Sequence, residues 1–344
     1  MSKVLIVGTS KYTRGGITAV IKTQQQGEQW NRFHCKWIGY HVDRATWTKV
    51  LYYVYASIRY CINLPFYQIV HYQFSLPTDA RRSYYFFKIA KLLDKKTIIH
   101  LHCGDQLPDI WSPMYEEMFT KCDLALVLSP SIKRNVEEYI GPNHRVEVLY
   151  NPCPTISEIT PFEKREKEIL FAGTLNSNKG YVDLIRGFAK IAKKHFDWKV
   201  VFAGNGEIEK AKSLAHSLGI ESQCVFLGWV NGEQKDTTFR RASVFCLASY
   251  QEGFPMAVLD AWAYGVPVVS TSAGGLIDIV KEGKTGLLFE AGNTDQMAEK
   301  MDRIISNETL RKEIGSESRM LAYTTFNINT INNQLGHLYK ELSK

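Results

Sequence analysis

Short apolar runs alternate along this chain with longer stretches whose apolar positions recur every three or four residues. The short runs predict strands. In the first half they are Val4–Val7, Gln68–Tyr72, Thr97–His102, Leu124–Leu128 and Arg145–Leu149. In the second half they are Ile169–Ala172, Lys199–Ala203, Val225–Leu227, Val244–Leu247, Val268–Ser270 and Leu287–Phe289. Helical-period stretches fill the gaps, and the chain closes on helices expected at Thr294–Ile305, Glu308–Tyr323 and Asn329–Leu342. Strands that alternate with helices build parallel sheets from βαβ units. Between the two series, Asn151-Pro-Cys-Pro154 breaks the pattern, and 157–168 is polar and carries Pro161. The expectation is two doubly wound, Rossmann-like α/β domains at 1–153 and 168–328, a linker at 154–167, and a final helix at 329–344. In such sheets ligands bind outside the carboxyl ends of the strands.

Length agrees with this division, because single cores stop growing at roughly 250–300 residues and the chain has 344. Seven cysteines lie scattered, none in a Cys-x-x-Cys pair, so neither a disulfide framework nor a zinc site is expected, and a cytoplasmic setting is. The N-terminus reads as a first strand rather than a signal peptide. No run of about 18 apolar residues is long enough to span a bilayer. Charge changes the picture more. Residues 1–152 hold 19 Lys/Arg against 12 Asp/Glu, and the remainder holds 23 against 23, so the net charge of +7 lies in the first half. An anionic partner there and a merely solvated basic surface explain it equally well. No nucleic-acid-binding motif supports a nucleic-acid partner.

Three segments carry candidate chemistry. After the first strand, Gly8-Thr-Ser-Lys-Tyr-Thr-Arg-Gly15-Gly16 runs into a helix; glycines at a helix start let backbone amides approach a phosphate, although a tight turn has the same look. After the strand ending in Phe171-Ala-Gly173, Lys179 stands near a helix start. The helix dipole disfavours a cation there by roughly 0.3–1 kcal/mol, which a charge-assisted bond to phosphate of roughly 1.5–3 kcal/mol would outweigh. The third segment is Ala248-Ser-Tyr-Gln-Glu252-Gly-Phe-Pro255, followed by a helix expected at Met256–Tyr264. Glu252 lies at the strand end, and Asp260 about 7.5 Å along the helix from Pro255. Two carboxylates so spaced suit the hydroxyls of an extended polyol, with free helix-start amides between them.

This third segment, together with Gly204-Asn-Gly206-Glu, Val225-Phe-Leu-Gly228-Trp-Val, Ala263-Tyr-Gly-Val-Pro-Val-Val269, Gly274-Gly275 and Thr285-Gly-Leu-Leu288, resembles the retaining glycosyltransferases of family 4, the group 1 glycosyltransferases. The resemblance covers nearly the whole chain and is strongest over 168–292. It implies the GT-B fold, with the first domain binding the acceptor, the second binding a UDP- or GDP-linked sugar, and the final helix crossing back to the first domain. It further implies that Gly15 and Gly16 contact the donor diphosphate or the transferred sugar with backbone amides, and that Lys179 neutralises the diphosphate. Glu252, with the amides of Gly253 and Phe254, would hold the sugar; Asp260 would hold the ribose; Gly228, Trp229 and Val230 would border the base. His102 would face the sugar near the reacting carbon. Two positions depart from the family. Thr174 stands where an arginine often meets the diphosphate, leaving Lys179, Lys11 or Arg14 to supply the charge. Asp260 replaces a glutamate, shorter by one bond of about 1.5 Å.

The expected reaction is transfer of a glycosyl group to a hydroxyl of a glycan or lipid-linked glycan, with retention of configuration, in cell-surface polysaccharide biosynthesis. No cofactor is expected beyond the donor as co-substrate. With no Asp-x-Asp motif, no metal is expected either. An epimerase acting on a UDP-sugar and a phosphorylase are the rival activities. One further stretch bears on the acceptor. In 44–62, Trp47, Val50, Leu51, Val54, Tyr55, Ile58, Cys61 and Ile62 recur at helical spacing, while Lys49, Tyr52, Tyr53, Arg59 and Tyr60 occupy the other face. An aromatic and basic face suits an anionic membrane surface at its cytoplasmic side; an apolar stripe packed on its own sheet with tyrosines outward is the other arrangement this spacing allows.

Overall fold

The computed structural model describes residues 2–13, 15–42, 45–75, 77–104 and 106–344. The chain divides into two compact units, one of residues 1–152 with 328–344, the other of residues 153–327. Arg14 and Arg44 lie outside the described residues.

The first unit is a six-stranded parallel sheet in the order β2-β1-β3-β4-β5-β6. Its strands are β1 (Val4–Gly8), β2 (Lys36–Gly39), β3 (Ile69–Phe74), β4 (Lys96–Leu101), β5 (Leu124–Val127) and β6 (Val146–Val148). Both faces of a parallel sheet are covered by helices, which is why its inner strands read as near-continuous apolar runs. β2 was not expected from the sequence: it is a four-residue edge strand, Lys-Trp-Ile-Gly, and only its last two residues are buried. The final helix, Ile328–Leu342, belongs to this unit. Its Ile331, Leu335, Leu338 and Tyr339 share one buried cluster with Val4, Ile6 and Ile98, and Gln334 Nε2 donates to the Val148 carbonyl.

The helix Thr46–Asn63 sits the opposite way round from an ordinary surface helix. Its buried residues are Ala56 and Tyr60. The Tyr60 hydroxyl meets the Tyr72 hydroxyl at 2.8 Å and donates to the Phe86 carbonyl at 2.7 Å. Tyr53 donates to the Arg82 carbonyl. The apolar stripe from Trp47 to Ile62 is left exposed. The face carrying Tyr53 and Tyr60, expected to point to a membrane or to solvent, therefore packs inward. Hydrogen-bonded phenols explain the reversal: a Tyr ring buries apolar area while its hydroxyl finds a partner.

The second unit is a parallel sheet in the order β12-β11-β10-β7-β8-β9, with β7 (Glu168–Ala172), β8 (Lys199–Ala203), β9 (Cys224–Gly228), β10 (Val244–Leu247), β11 (Val268–Thr271) and β12 (Leu287–Phe289). From β7 the chain steps outward through β8 to β9, then returns to lay β10 on the other side of β7. The order reverses between β7 and β10, which is where open α/β sheets form a ligand crevice. The stretch expected as a linker packs on this unit: Arg165 is buried and donates to the carbonyls of Tyr264 and Gly265. All seven cysteines are free thiols.

Candidate active site

In the second unit, the loops after β7 and β10 meet at that reversal. Asn176 caps the turn Ser177–Lys179, its Oδ1 accepting from the Lys179 amide at 2.9 Å. Gly180 follows in the left-handed region, φ 64°. A side chain there would be strained, and its Cβ would stand 2.0 Å from the Ala248 carbonyl oxygen. Only glycine lets the β7 loop approach β10 so closely. Asn178 ties the two loops together, its carbonyl accepting from the Tyr250 amide at 2.8 Å and its Nδ2 donating to the Gln251 carbonyl at 3.1 Å. Lys179 is thereby delivered to Glu252, Nζ to Oε1 2.5 Å. The carboxylate side chain is 10% exposed and the lysine 27%, so the pair is largely desolvated yet open on the lysine side.

The loop that carries Glu252 is held from both sides. Gly275 donates to the Gly253 carbonyl at 2.8 Å. The Phe254 ring is buried, 5.3 Å from the Phe326 ring, so a donor contact at Phe254 has to come from its backbone. The helix Met256–Ala263 begins at Pro255 with no side-chain cap and no acidic residue in its first turn. Uncapped first-turn amides with the positive end of the dipole make a place for an anion.

Asp260 lies one turn further on and is not an ordinary surface aspartate. It is 8% exposed and forms an ion pair with Lys235, Nζ to Oδ2 2.7 Å. Burial pushes its carboxyl up, and the adjacent Lys235 ammonium pulls it back down in part. Lys235 comes from the helix Gly232–Arg241, and nothing in the sequence pattern pointed to it. Thr174 is exposed at the end of β7. Gly228, at φ 69°, ends β9 and leads into the half-exposed Trp229 and the buried Val230. Lys179, Glu252, Thr174 and Gly228–Val230 thus share the carboxyl edge of one sheet.

Gly15, Gly16 and His102 belong to the first unit. Gly15 and Gly16 line a cavity of about 350 Å³ with Thr13, His41, Asp79 and Arg82; Arg82 and Asp79 are paired at 2.9 Å. The helix Gly16–Gln24 also starts without a side-chain cap or an acidic first turn. Lys11 lies over its own neighbour's ring, Tyr12, at 5.1 Å. His102 follows β4. Its Nε2 is 3.2 Å from Gln73 Oε1, and Gln73 Nε2 donates to Gln24. The His102 ring lies tilted against His100 at 4.2 Å, and His100 stacks on His71 at 5.4 Å. Burial lowers His102 to about 3, so its imidazole is neutral at ordinary pH.

Residues 154–320 match the family model described as glycosyl transferases group 1. The chain belongs to the group 1 glycosyltransferases. That matched segment contains Lys179, Lys235, Glu252 and Asp260, and stops short of the first unit's Gly15, Gly16 and His102. A protein of Methanocaldococcus jannaschii named as an uncharacterized glycosyltransferase is 31% identical over 258 residues, covering 69% of this chain and 66% of its own length. The Campylobacter jejuni GalNAc-alpha-(1->4)-GalNAc-alpha-(1->3)-diNAcBac-PP-undecaprenol alpha-1,4-N-acetyl-D-galactosaminyltransferase is 31% identical over 217 residues, 62% of this chain and 58% of its own. The matched stretch thus spans just under two thirds or less of these relatives. Among solved structures, Anabaena HepE in complex with UDP-glucose has a TM-score of 0.79 at 18% identity, over 99% of this chain and all of that one. The shared architecture is GT-B.

Proposed function

We propose that this group 1 glycosyltransferase moves a sugar, with retention of configuration, from a nucleoside diphosphate sugar to a hydroxyl of a glycan or lipid-linked glycan, and needs no metal to do so. The observation that carries the reading is the Lys179–Glu252 pair at the point where the second sheet reverses its order, beside an uncapped helix start. HepE, solved with UDP-glucose, supports the donor class. The Campylobacter relative, whose name includes an undecaprenol-linked acceptor, supports the acceptor class and a place at the membrane surface.

The chemistry follows from charge. Breaking the bond between the anomeric carbon and the diphosphate leaves positive charge on the sugar and adds negative charge to the leaving oxygen. Lys179 Nζ, already held by Glu252 on one side, presents its remaining N–H bonds to that oxygen, together with the helix-start amides after Pro255. Such fixed donors stabilise developing charge without having to reorganise. Glu252 accepts from sugar hydroxyls. Asp260, with Lys235 beside it, takes the ribose. Within the first unit, the helix-start amides at Gly15 and Gly16 suit an anion, and His102, neutral, can accept from or donate to a hydroxyl but brings no charge of its own.

Hydrolysis of UDP-, GDP- and ADP-linked sugars by the purified protein tests this. One nucleotide class should be turned over without added metal and in the presence of a chelator. Lys179→Ala and Glu252→Ala should each lower that rate about 10²–10³-fold. An unchanged rate in either variant removes that residue from the mechanism.

A further inference from the structure

The stripe of the helix Thr46–Asn63 is exposed, and it is not a scatter of single surface apolar residues. Trp47, Val50, Leu51, Val54, Ile58 and Ile62 are each between 50% and 69% exposed. Their spacing of three, one, three, four and four residues keeps them on one side of an α-helix over about 22 Å. Phe66 and Leu92, 65% and 83% exposed, add to the apolar surface of the same unit. A soluble helix turns such a stripe inward. This one is held the other way by the hydroxyls of Tyr53 and Tyr60, so it does not roll over without breaking buried hydrogen bonds. Contiguous exposed apolar surface of this kind marks an interaction face.

We propose that the 46–63 helix lies in the plane of an anionic membrane, with its apolar stripe inserted among the acyl chains. Charge selects this occupant. The helix carries Lys49 and Arg59 and no acidic residue, and residues 46–96 hold eight Lys/Arg against two Asp/Glu, a net of +6. A second copy of the chain would bring the same positive charge to the face. An anionic headgroup layer neutralises it and supplies the apolar layer beneath. Trp47 and Tyr55 are residue types that settle at the headgroup level. No helix among the described residues is long and apolar enough to cross a membrane, which leaves the in-plane arrangement. Docking gives the lipid-linked acceptor of the proposed function a surface on which to be met, but it stands or falls separately from catalysis.

Flotation of the full chain with vesicles tests it. One set is equimolar phosphatidylglycerol and phosphatidylcholine, the other phosphatidylcholine alone. The protein should float with the anionic set at low salt, and much less with the neutral set. The double variant Leu51→Ser/Ile58→Ser alters only solvent-facing side chains. It should lose at least ~10-fold of its vesicle binding while its thermal unfolding and its donor hydrolysis stay as in the parent. Lys49→Glu/Arg59→Glu should weaken binding to anionic vesicles and leave the residual salt-resistant part. Failure of the parent to float with anionic vesicles at low salt would falsify the proposal, as would a double variant that floats like the parent. It is equally overturned if sedimentation shows a dimer that the Leu51→Ser/Ile58→Ser change dissociates, with no vesicle binding; the face would then join two copies. A protein that floats as described but hydrolyses no nucleotide sugar keeps the docking surface and loses the glycosyltransferase reading.

Discussion

Lys235 alters how Asp260 has to be understood. Taken alone, Asp260 is a carboxylate one methylene too short for its expected task. In the structure it is a buried charge whose burial is compensated by a lysine 25 positions earlier in the chain. Removing the lysine leaves the carboxylate with desolvation and little to oppose it, so its pKa climbs further. Breaking a fully buried pair costs about 3–5 kcal/mol; with Lys235 39% exposed, about 1–2 kcal/mol is the appropriate scale for Lys235→Ala. The sign of the pH dependence is fixed. The cost is largest where Asp260 has to be ionised, and it shrinks as pH falls and the carboxyl takes up a proton. Thermal unfolding should therefore place Lys235→Ala several degrees below the parent at pH 8, with the gap narrowing as pH is lowered, and Asp260→Asn added to it should restore most of the loss at pH 8. A pH-independent gap would argue against a charged Asp260.

At the scale of the element, the β7 loop depends on Gly180 for two reasons that experiment can separate. Gly180 and Gly219 share nearly the same backbone, φ 64° and 68°, but a Cβ at Gly219 would meet nothing within 4 Å while one at Gly180 would strike the Ala248 carbonyl. Gly219→Ala should cost only the left-handed penalty, about 1–2 kcal/mol. Gly180→Ala should cost about 1–3 kcal/mol more and also suppress donor hydrolysis, because the loop it displaces carries Lys179. Equal losses in denaturant midpoint would mean the loop yields without strain. The sequence made every strand but β2 legible, because buried parallel strands leave short apolar runs bounded by turn residues, and it singled out Glu252 and Lys179 because each follows such a run. Three things escaped it. β2 is short and half-polar. Lys235 meets Asp260 only through tertiary packing. On the 46–63 helix, periodicity found the stripe but not its direction, since spacing reports which residues share a face and not which face is inward; the deciding bonds of Tyr53 and Tyr60 run to residues on other elements.

Across the whole molecule, the two units differ in what acid does to them. His71 and His100 are buried in the first unit, their rings stacked and His71 Nδ1 2.7 Å from the Tyr339 hydroxyl. Burial, reinforced by neighbouring histidines, lowers His71 to about 3 and His100 well below its ordinary value. Groups held neutral in the fold contribute stability that is present above the unfolded value of 6.5 and is lost as pH falls below it. With His102, likewise lowered to about 3 by burial, three such groups should take away up to about 4.1 kcal/mol for each pH unit below about 6. Calorimetry at pH 7.5, 6 and 5 should show one transition moving steeply to lower temperature, with hydrogen exchange locating the early opening in the strands that carry His71 and His100. Two transitions that shift together would contradict it.

Tyr339, at the end of that histidine column, also gives the chain an order of events. The first unit takes the helix Ile328–Leu342 into the same buried cluster as β1, so the second unit, residues 153–327, is an insertion within the first. On a ribosome, residues 1–152 would wait with part of their core uncovered while the whole second unit was synthesised and became able to close on itself. The half of the protein that begins first would be the half that finishes last.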